Sequence, residues 1–483
     1  MSGWTLERTY TTLPPLFFSP VTPTPVREPS FVVLNAPLAE ALGLDVQALE
    51  TDAGAYLLAG NHLPPGAQPI AQAYAGHQFG HFTALGDGRA ILLGEQITPD
   101  GRRVDIQLKG AGRTPYSRRG DGRAAVGPML RELIVSEAMH ALGIPTTRSL
   151  AVVATGEPVF REDVLPGAVL TRVAASHIRV GTFQWAAAHQ DVGALRALAD
   201  YTIARHDPAL AGMPDPYRAF FDAVVDRQAA LVAQWQSVGF IHGVMNTDNM
   251  AISGETIDYG PCAFMDDYDP GTVFSSIDAH GRYAYGNQPP IAQWNLTRLA
   301  EAMLPLFDAD RDKAIAVATV AVERFIERFE HEWLTRMRAK LGLFTAEPGD
   351  DELIEALLDW MQETHADFTR TFSALATVGA AEQLAHEQEA FRGWFERWRT
   401  RLGRQPQSPA EATARMQASS PVVIPRNHAV EAAIAAAAAQ TDLEPLNQLI
   451  EGLRQPYDYT RARPDILAPP TQPDPAYRTF CGT

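Results

Sequence analysis

The hydrophobic pattern of the chain changes at Gly181. Before that residue, apolar positions alternate with polar ones or form short unbroken runs, which is typical of β-strands. The turn sequence Thr98–Gly101 lies between the first two runs and predicts a hairpin. A helix is predicted at Pro128–Leu142, because proline lies at its start and Gly143 follows its end. The predicted strands are Arg89–Ile97, Val104–Leu108, Ser149–Ala154 and Ala168–Val173.

After Gly181, apolar residues recur every three or four positions, which is the period of an amphipathic helix. Six prolines between Pro14 and Pro29 predict an extended segment near the N-terminus, and the last part of the sequence is again rich in proline. A β-rich part therefore precedes a helical part. The predicted helices are Tyr217–Val238, Ile291–Leu306, Lys313–Leu341, Glu352–Leu375 and Glu382–Leu402.

Composition excludes several classes of protein. The 483 residues are 46% hydrophobic, which is ordinary for a folded domain, and the small-apolar run Ala432–Ala439 is too short to cross a bilayer. The first residues lack the basic and apolar regions of a signal peptide. Only two cysteines, Cys262 and Cys481, are present, which argues against a secreted disulfide scaffold. We therefore expect a cytoplasmic enzyme without a membrane partner.

The charge is unevenly distributed. A net charge of −17 disfavours nucleic-acid binding, yet eight basic residues accompany only two acidic ones between Arg102 and Arg131. Such a local patch suits a compact polyanion such as a nucleoside triphosphate; a solvated basic surface is the alternative. Only Lys109, Lys313 and Lys340 are lysines, because the chain uses arginine for nearly all of its other positive charges. Lys109 ends a predicted strand and therefore indicates a site that needs a compact ammonium group.

Residues 242–260 match the catalytic-loop pattern of protein kinases, H-x-D-x-x-x-x-N followed by D-F-G. Val244 occupies the position of the catalytic aspartate, and Asp248 lies one residue before the asparagine. The pattern indicates nucleotide chemistry without the base of an ordinary kinase. The matching residues are His242, Asn249, Asp258 and Gly260.

This loop follows the β-rich part and lies within the helical part, which is the order of a two-lobed protein-kinase fold. We therefore predict the α+β class, with a β-rich N-lobe, a helical C-lobe and additional wrapping segments at both ends. The predicted boundaries are an N-terminal wrapping segment at 1–60, an N-lobe at 61–185, a C-lobe at 186–403 and a helical, proline-rich extension at 404–483.

Phosphates require backbone N–H groups, a cation and a divalent metal ion held by oxygen ligands. The turn Gly86-Asp-Gly88-Arg89 can supply the N–H groups, although the same sequence occurs in any tight hairpin. Lys109 can supply the cation, and Glu132 in the predicted helix can orient it. Glu137 is a competing partner for the lysine. The structural alternative is that Lys109 and Glu132 form an ordinary surface ion pair.

Asn249 and Asp258 are candidate ligands for Mg²⁺ or Mn²⁺, although either residue also caps turns. Arg172 and Arg179 are cations beyond those that a kinase cleft needs. The pair Asp121-Gly122 lies within the basic stretch and can either orient these arginines or contact phosphate through its backbone. Surface pairing and turn formation are the structural alternatives for all four.

Long stretches of the sequence resemble the selenoprotein O (SelO/YdiU) family of atypical kinases. The resemblance covers nearly the whole chain and implies a pseudokinase that binds ATP in a flipped orientation. Such an enzyme transfers AMP to Ser, Thr or Tyr hydroxyls of proteins, including itself. The stretches that carry the resemblance are Ala73–His81, Leu85–Arg89, Gln107–Arg123 and Gly239–Gly260.

The resemblance implies a role for each candidate residue. Asp248 is similar to the proton acceptor, Asn249 and Asp258 to the Mg²⁺ (or Mn²⁺) ligands, and Glu132 to the partner of the lysine. The residues expected to bind the nucleotide are Gly86, Gly88, Arg89, Lys109, Asp121, Gly122, Arg172, Arg179 and Asp258.

Other functions remain open at this point. They are an Mn²⁺-dependent transferase that uses UTP, a true kinase with Asp248 as a displaced base, and a pseudokinase that only binds nucleotide. Eukaryotic relatives end in a Cys-x-x-selenocysteine motif, whereas this sequence ends Cys481-Gly-Thr483. A redox switch in this chain would need Cys262 as the partner of Cys481, which we state as a hypothesis.

Overall fold

Most of the β-structure gathers in one antiparallel sheet. The computed structural model describes residues 3–440, 442–461, 468–470 and 477–479. The strands are β1 (Leu6–Glu7), β2 (Phe18–Pro20), β3 (Ser30–Leu34), β4 (Ile70–Gln72), β5 (Ala75–Gln78), β6 (His81–Ala84), β7 (Ala90–Ile97), β8 (Arg103–Lys109), β9 (Ala124–Ala125), β10 (Arg148–Phe160), β11 (Val164–Ala174), β12 (Phe240–Ile241) and β13 (Ala263–Phe264).

The main sheet has the order β2-β4-β7-β8-β11-β10-β3, with β1 paired to β7 and β9 paired to β11. All four predicted strands are confirmed, and Thr98–Gly101 forms the predicted turn, in which the Gly101 N–H donates to the Thr98 carbonyl. β10 and β11 extend well beyond their predicted ends as one long hairpin. The residues beyond the predicted end of β10 include Gly156 and Pro158, which are typical of a turn. In the structure they lie instead within the hairpin, at a register shift between Ala154 and Pro158.

The proline-rich N-terminal segment supplies β1, β2 and β3 to this sheet. The prediction of an extended segment missed three short helices, α1 (Ala36–Ala41), α2 (Val46–Leu49) and α3 (Asp52–Leu58). Each begins at a polar residue, Asn35, Asp45 or Thr51, whose side chain accepts a hydrogen bond from a backbone N–H of the first turn. Helices of one or two turns are too short to give a clear hydrophobic period.

The remaining helices follow the sheet, apart from α4, which lies between β9 and β10. No described helix combines the length and the apolar composition needed to cross a membrane. These helices are α4 (Val126–Ala141), α5 (Val180–Ala188), α6 (Val192–His206), α7 (Pro216–Ser237), α8 (Gln288–Phe307), α9 (Arg311–Lys340), α10 (Asp350–Thr364), α11 (Phe368–Leu375), α12 (Ala380–Glu387), α13 (Glu389–Leu402), α14 (Pro409–Ser419), α15 (Asn427–Gln440) and α16 (Glu444–Leu453).

Two predicted helices are each two helices in the structure. Glu352–Leu375 is interrupted at His365, which adopts a left-handed backbone with φ of 52° and ends α10. Asp367 then caps α11 by accepting from the Arg370 N–H. Glu382–Leu402 is interrupted at Gln388, which is extended. The apolar stripes continue across both breaks, so periodicity alone does not reveal them.

Helix α4 lies between the sheet and the C-terminal helices. On one side Leu130 and Leu133 share a core with Val152 and Leu170 of the long hairpin. The same core includes α15 and α16, for example through Ala433 and other buried apolar side chains. The helix that carries Glu132 is therefore held from two sides.

Lys340, near the C-terminal end of α9, is fully buried in the helical region. Its Nζ lies 4.3 Å from the centroid of the Phe372 ring and donates a long hydrogen bond of 3.5 Å to the Ser419 carbonyl. Burial lowers the pKa of Lys340 to about 7. The folded state therefore binds fewer protons at this site than the unfolded state between about pH 7 and pH 10, because an exposed lysine has a pKa of about 10.4.

We predict that Lys340→Met raises the free energy of unfolding by about 1–3 kcal/mol at pH 7, because it removes a buried group that lacks a full set of partners. The gain is largest below pH 7, shrinks as the pH rises and is lost only above about pH 10.4, the pKa of an exposed lysine, where the amine is neutral in both states. Chemical denaturation across this pH range measures it. Lys313→Met, on the exposed start of the same helix, is the control and should leave the profile unchanged.

Candidate active site

All of the sequence-predicted nucleotide and metal residues line one cavity. The cavity has a volume of about 490 Å³, within the usual range for small-molecule sites, and lies between the main sheet and the turn Thr247–Asn249. The predicted residues that line it are Gly86, Gly88, Arg89, Lys109, Asp121, Gly122, Glu132, Arg172, Arg179, Asp248, Asn249 and Asp258.

The glycine-containing turn before β7 forms one edge of the cavity. Gly86 has φ of 129°, and a Cβ atom there would lie 2.5 Å from the ring of Tyr116. The Thr114 hydroxyl donates to the Asp87 carbonyl, and the Ser117 hydroxyl donates to the Gly88 carbonyl. A side chain at position 86 would therefore push the turn away from the loop that carries Thr114, Tyr116 and Ser117.

Lys109 lies at the end of β8 and points at α4. Its Nζ donates to Oε2 of Glu132 at 2.6 Å, while Oε1 of the same carboxylate accepts from Arg172 at 3.1 Å. Glu137, the competing candidate, instead binds Arg148 through two hydrogen bonds of 2.8 and 2.7 Å. Burial raises the pKa of Glu132, but Lys109 and Arg172 outweigh burial and lower it below its ordinary value.

Asp258 is the point at which the cations of the cavity meet. Its Oδ1 accepts from Lys109 at 2.9 Å and from Arg172 at 2.7 Å, and its Oδ2 accepts from Arg179 at 3.0 Å. Burial raises the pKa of this carboxyl, yet the three cations outweigh burial and hold the pKa well below its usual range. Asp258 also has a left-handed backbone, with φ of 61°, which is uncommon outside glycine and often found at functional sites.

Arg179 connects the sheet side of the cavity to the turn Thr247–Asn249. It precedes α5, and its guanidinium donates to the Asp248 carbonyl at 2.8 Å. The guanidinium also lies over the ring of Tyr74, 4.5 Å from the centroid. Together with its contact to Asp258, this arrangement holds Arg179 on three sides.

Asp121 does not orient Arg172 or Arg179, which corrects one of the two roles suggested for it. Its carboxylate binds Arg161 at 2.8 Å and accepts from the Arg123 N–H at 2.9 Å. The loop that carries Asp121 is therefore more exposed than the buried arginines of the cavity, and Asp121 forms an ion pair with Arg161 instead.

The turn Thr247–Asn249 places Asp248 at the wall of the cavity. Burial raises the pKa of Asp248 to about 6, although Arg179 partly offsets this effect. Its Oδ1 is buried and has no hydrogen-bond partner among the described residues. A Cβ atom on Gly76 of β5 would lie 2.1 Å from that oxygen, so only glycine leaves room for the carboxylate. The group is therefore suited to accept a proton near neutral pH.

Asn249 and Asp258 present oxygen ligands that suit Mg²⁺ or Mn²⁺. The Asn249 amide nitrogen donates to the Val244 carbonyl at 2.9 Å, which directs the amide oxygen to the other side. The described residues contain no group of three or more His, Cys, Asp or Glu side chains that could hold a metal ion. Water and phosphate oxygens would therefore have to complete the coordination.

Three residues of the cavity wall, Asp87, Tyr74 and Arg161, and the adjacent Gln107 are not predicted from the sequence. Asp87 is buried; its Oδ2 accepts from Gln107, and its Oδ1 lies 3.9 Å from Arg179. Burial raises the pKa of Asp87 to about 6, again partly offset by Arg179. Its position between Gly86 and Gly88 was the available signal, because a carboxylate is unusual inside a phosphate-binding turn.

The cysteine hypothesis is not tested by this geometry. Cys262 is buried close to the cavity wall, and Cys481 lies outside the described residues. The Thr479 hydroxyl donates to the carbonyl of Pro261 at 2.7 Å, so the C-terminal segment reaches the residue next to Cys262.

Comparison with known proteins identifies the family. Residues 3–454 match the family described as protein adenylyltransferase SelO. The protein nucleotidyltransferase YdiU of Halalkalibacterium halodurans is 60% identical over all of this chain and 98% of its own length. The proteins of the same name from Brevibacillus brevis and Geobacillus kaustophilus are each 58% identical, covering all of this chain and 98% and 100% of their own lengths. The chain therefore belongs to the SelO family and is a nucleotidyltransferase.

Proposed function

We propose that this protein is an adenylyltransferase that moves AMP from ATP to Ser, Thr or Tyr hydroxyls of proteins and releases pyrophosphate. The observation that carries the proposal is the convergence of Lys109, Arg172 and Arg179 on Asp258 beside the catalytic turn. These three cations meet two carboxylates, Asp258 and Glu132, so one positive charge is in excess, and a triphosphate can take over the cations when it binds.

We infer that ATP lies with its terminal phosphate inward. Arg172 is almost completely buried at the inner end of the cavity, against Glu132 of α4, whereas Arg161 and Asp121 are partly exposed. The inner position suits the most highly charged phosphate, because guanidinium groups bind phosphate through paired hydrogen bonds. The α-phosphate then faces the opening, where a protein hydroxyl can reach it.

In this arrangement the acceptor oxygen attacks the α-phosphorus, and its proton moves to the carboxylate of Asp248. The bond between the α-phosphorus and the bridging oxygen breaks, and pyrophosphate leaves among Lys109, Arg172 and Arg179. Val244 in the position of the usual kinase base is compatible with this geometry, because that base would act on a γ-phosphate. A Mg²⁺ or Mn²⁺ ion held by Asn249 and Asp258 would neutralise phosphate charge.

The same proposal includes a two-lobed, kinase-like arrangement. Strands β4 to β11 and helix α4 fall within the proposed N-lobe at 61–185, while α6 to α13 fall within the proposed C-lobe at 186–403 and α5 crosses the boundary. The N-terminal segment adds β1, β2 and β3 to the sheet of the N-lobe. The cavity lies where these two parts meet. UTP is the alternative donor of the nucleotide.

We predict that ATP labelled on the α-phosphate labels protein, whereas ATP labelled on the γ-phosphate does not. Protein-bound radioactivity after denaturing electrophoresis measures this, with Mg²⁺ or Mn²⁺ present and with EDTA as the metal-free control. Label from the γ-phosphate would indicate a kinase, and label from neither would indicate a binding protein. Competition between equal concentrations of ATP and UTP determines the preferred donor.

We predict that Asp248→Asn lowers the rate of transfer by about 10²–10⁴-fold, because the amide cannot take up the proton. Affinity for ATP should change little, since the amide preserves shape and does not contact the triphosphate. Single-turnover transfer and nucleotide binding are measured separately. Asp226→Asn, on the exposed face of α7, is the control. A wild-type rate in Asp248→Asn would rule out this residue as the base.

We predict that Arg172→Gln weakens ATP binding by about 10- to 100-fold but ADP binding much less, because only ATP brings a terminal phosphate to this position. Calorimetry with each nucleotide measures the two affinities, and thermal unfolding verifies that the variant folds. Arg161→Gln, at the exposed part of the cavity, should lower both affinities by a similar factor. Equal losses for ATP and ADP in Arg172→Gln would contradict the inward phosphate.

A further inference from the structure

A second and larger cavity lies beside the first. It has a volume of about 1030 Å³ and is formed mainly by the segment 265–281, the beginning of α15 and the residues Tyr477 and Arg478. We call it the acidic groove. Its acidic side chains are Asp266, Asp267, Asp269, Asp278 and Glu431.

The two cavities share a wall. Ile277 lines the nucleotide cavity, while its neighbours Ser276 and Asp278 line the acidic groove. Ile277 is 61% exposed and so offers an apolar surface at this wall. A peptide that presents a hydroxyl to the nucleotide cavity would therefore pass over Ile277 and continue into the groove.

The groove carries far more negative than positive charge. Arg478 is the only arginine or lysine among its described lining residues, accompanied by His365 and His428. Two of the carboxylates have partners elsewhere: Asp266 binds Arg426, and Glu431 binds Arg131. Five carboxylates beside one arginine among the described lining residues favour a cationic ligand.

Asp267 has the clearest need for such a ligand. No described arginine or lysine forms an ion pair with its carboxylate, although Arg426 pairs with both Asp266 and Asp367 nearby. Burial and then the charges of Asp367 and Asp266 raise the pKa of Asp267. An incoming cation would relieve this repulsion.

Ser275 provides an independent observation. It lines the groove and is 2% exposed, and its hydroxyl oxygen has no hydrogen-bond partner among the described residues. Its backbone is held in place, because the Ser276 N–H donates to the Thr479 carbonyl at 3.0 Å. A buried hydroxyl without a partner is costly unless a ligand satisfies it. The described residues offer no group of three or more His, Cys, Asp or Glu side chains here that could hold a metal ion.

We propose that the acidic groove binds a basic segment of the protein substrate, with arginine or lysine side chains close to the acceptor hydroxyl. Guanidinium and ammonium groups donate several hydrogen bonds and can pair with Asp267 while the peptide backbone or a side chain reaches Ser275. This inference rests on the proposed transfer to proteins and adds the class of acceptor sequence.

The test uses three peptides that contain one serine flanked on both sides by arginine, glutamine or glutamate and that are otherwise identical. The arginine peptide should bind the full-length protein most tightly and should be labelled fastest from α-labelled ATP. Fluorescence anisotropy measures binding without any need for catalysis. Affinity for the arginine peptide should fall as salt is added, because the contact is between charges near the surface.

Variants of Asp267 locate the contact. Asp267→Asn should weaken binding of the arginine peptide by about three- to tenfold and leave the glutamine peptide unaffected. Asp267→Lys should reverse the preference towards the glutamate peptide. Asp312→Asn, on the exposed first turn of α9, is the control. Unchanged nucleotide affinity in each variant separates the groove from the nucleotide cavity.

The outcomes distinguish this inference from the proposed function. Equal binding and equal labelling of the three peptides would overturn the groove assignment and leave nucleotidyl transfer to proteins intact. Preferential binding of the arginine peptide without label on any protein or peptide would support the groove and contradict the proposed function. Selective binding that persists in Asp267→Asn and Asp267→Lys would place the cationic contact elsewhere and overturn the inference.

Discussion

The shared carboxylate of Asp258 is the constraint on which the cavity depends. Lys109 arrives from β8, Arg172 from β11 and Arg179 from the start of α5, and all three bind this one side chain. Buried cations are stable only when they are paired, and Glu132 contacts only Lys109 and Arg172 and supplies a single negative charge. Asp258 therefore brings the sheet and the helical part to the same point, and it does so from a left-handed backbone that directs the carboxylate inward.

Much of this arrangement is encoded in local sequence. The turn at Gly86 and the motif residues Asn249 and Asp258 are predicted from spacing, because phosphate and metal chemistry demand particular side chains at fixed intervals. The choice between Glu132 and Glu137 is different. At 100° per residue, five positions turn a helix by roughly 140°, so only one of the two can face Lys109. The sequence supplies both candidates, and the packing of α4 decides between them.

Other features could not be predicted because they depend on distant partners. Its neighbours in the sequence predict that Asp121 lies near the cavity, but its carboxylate binds Arg161, which directly follows β10. Asp87 has no motif of its own and is buried by contacts with Gln107 and Gln72, which lie on other strands. The break between α10 and α11 at His365 cannot be predicted from the hydrophobic period either, because the apolar stripe continues across it. Tertiary contacts determine each of these positions.

The clamping of α4 between the sheet and the helices α15 and α16 has a consequence for the order of events during synthesis. A ribosome releases the residues that line the cavity, the last of which is Ile277, well before it has made α15 and α16. Arg131, the neighbour of Glu132, also finds its partner Glu431 only in that late segment. The nascent chain thus contains every side chain of the cavity while α15 and α16, which pack behind the helix of Glu132, are still missing. The cavity is supported from both sides only when translation is nearly complete.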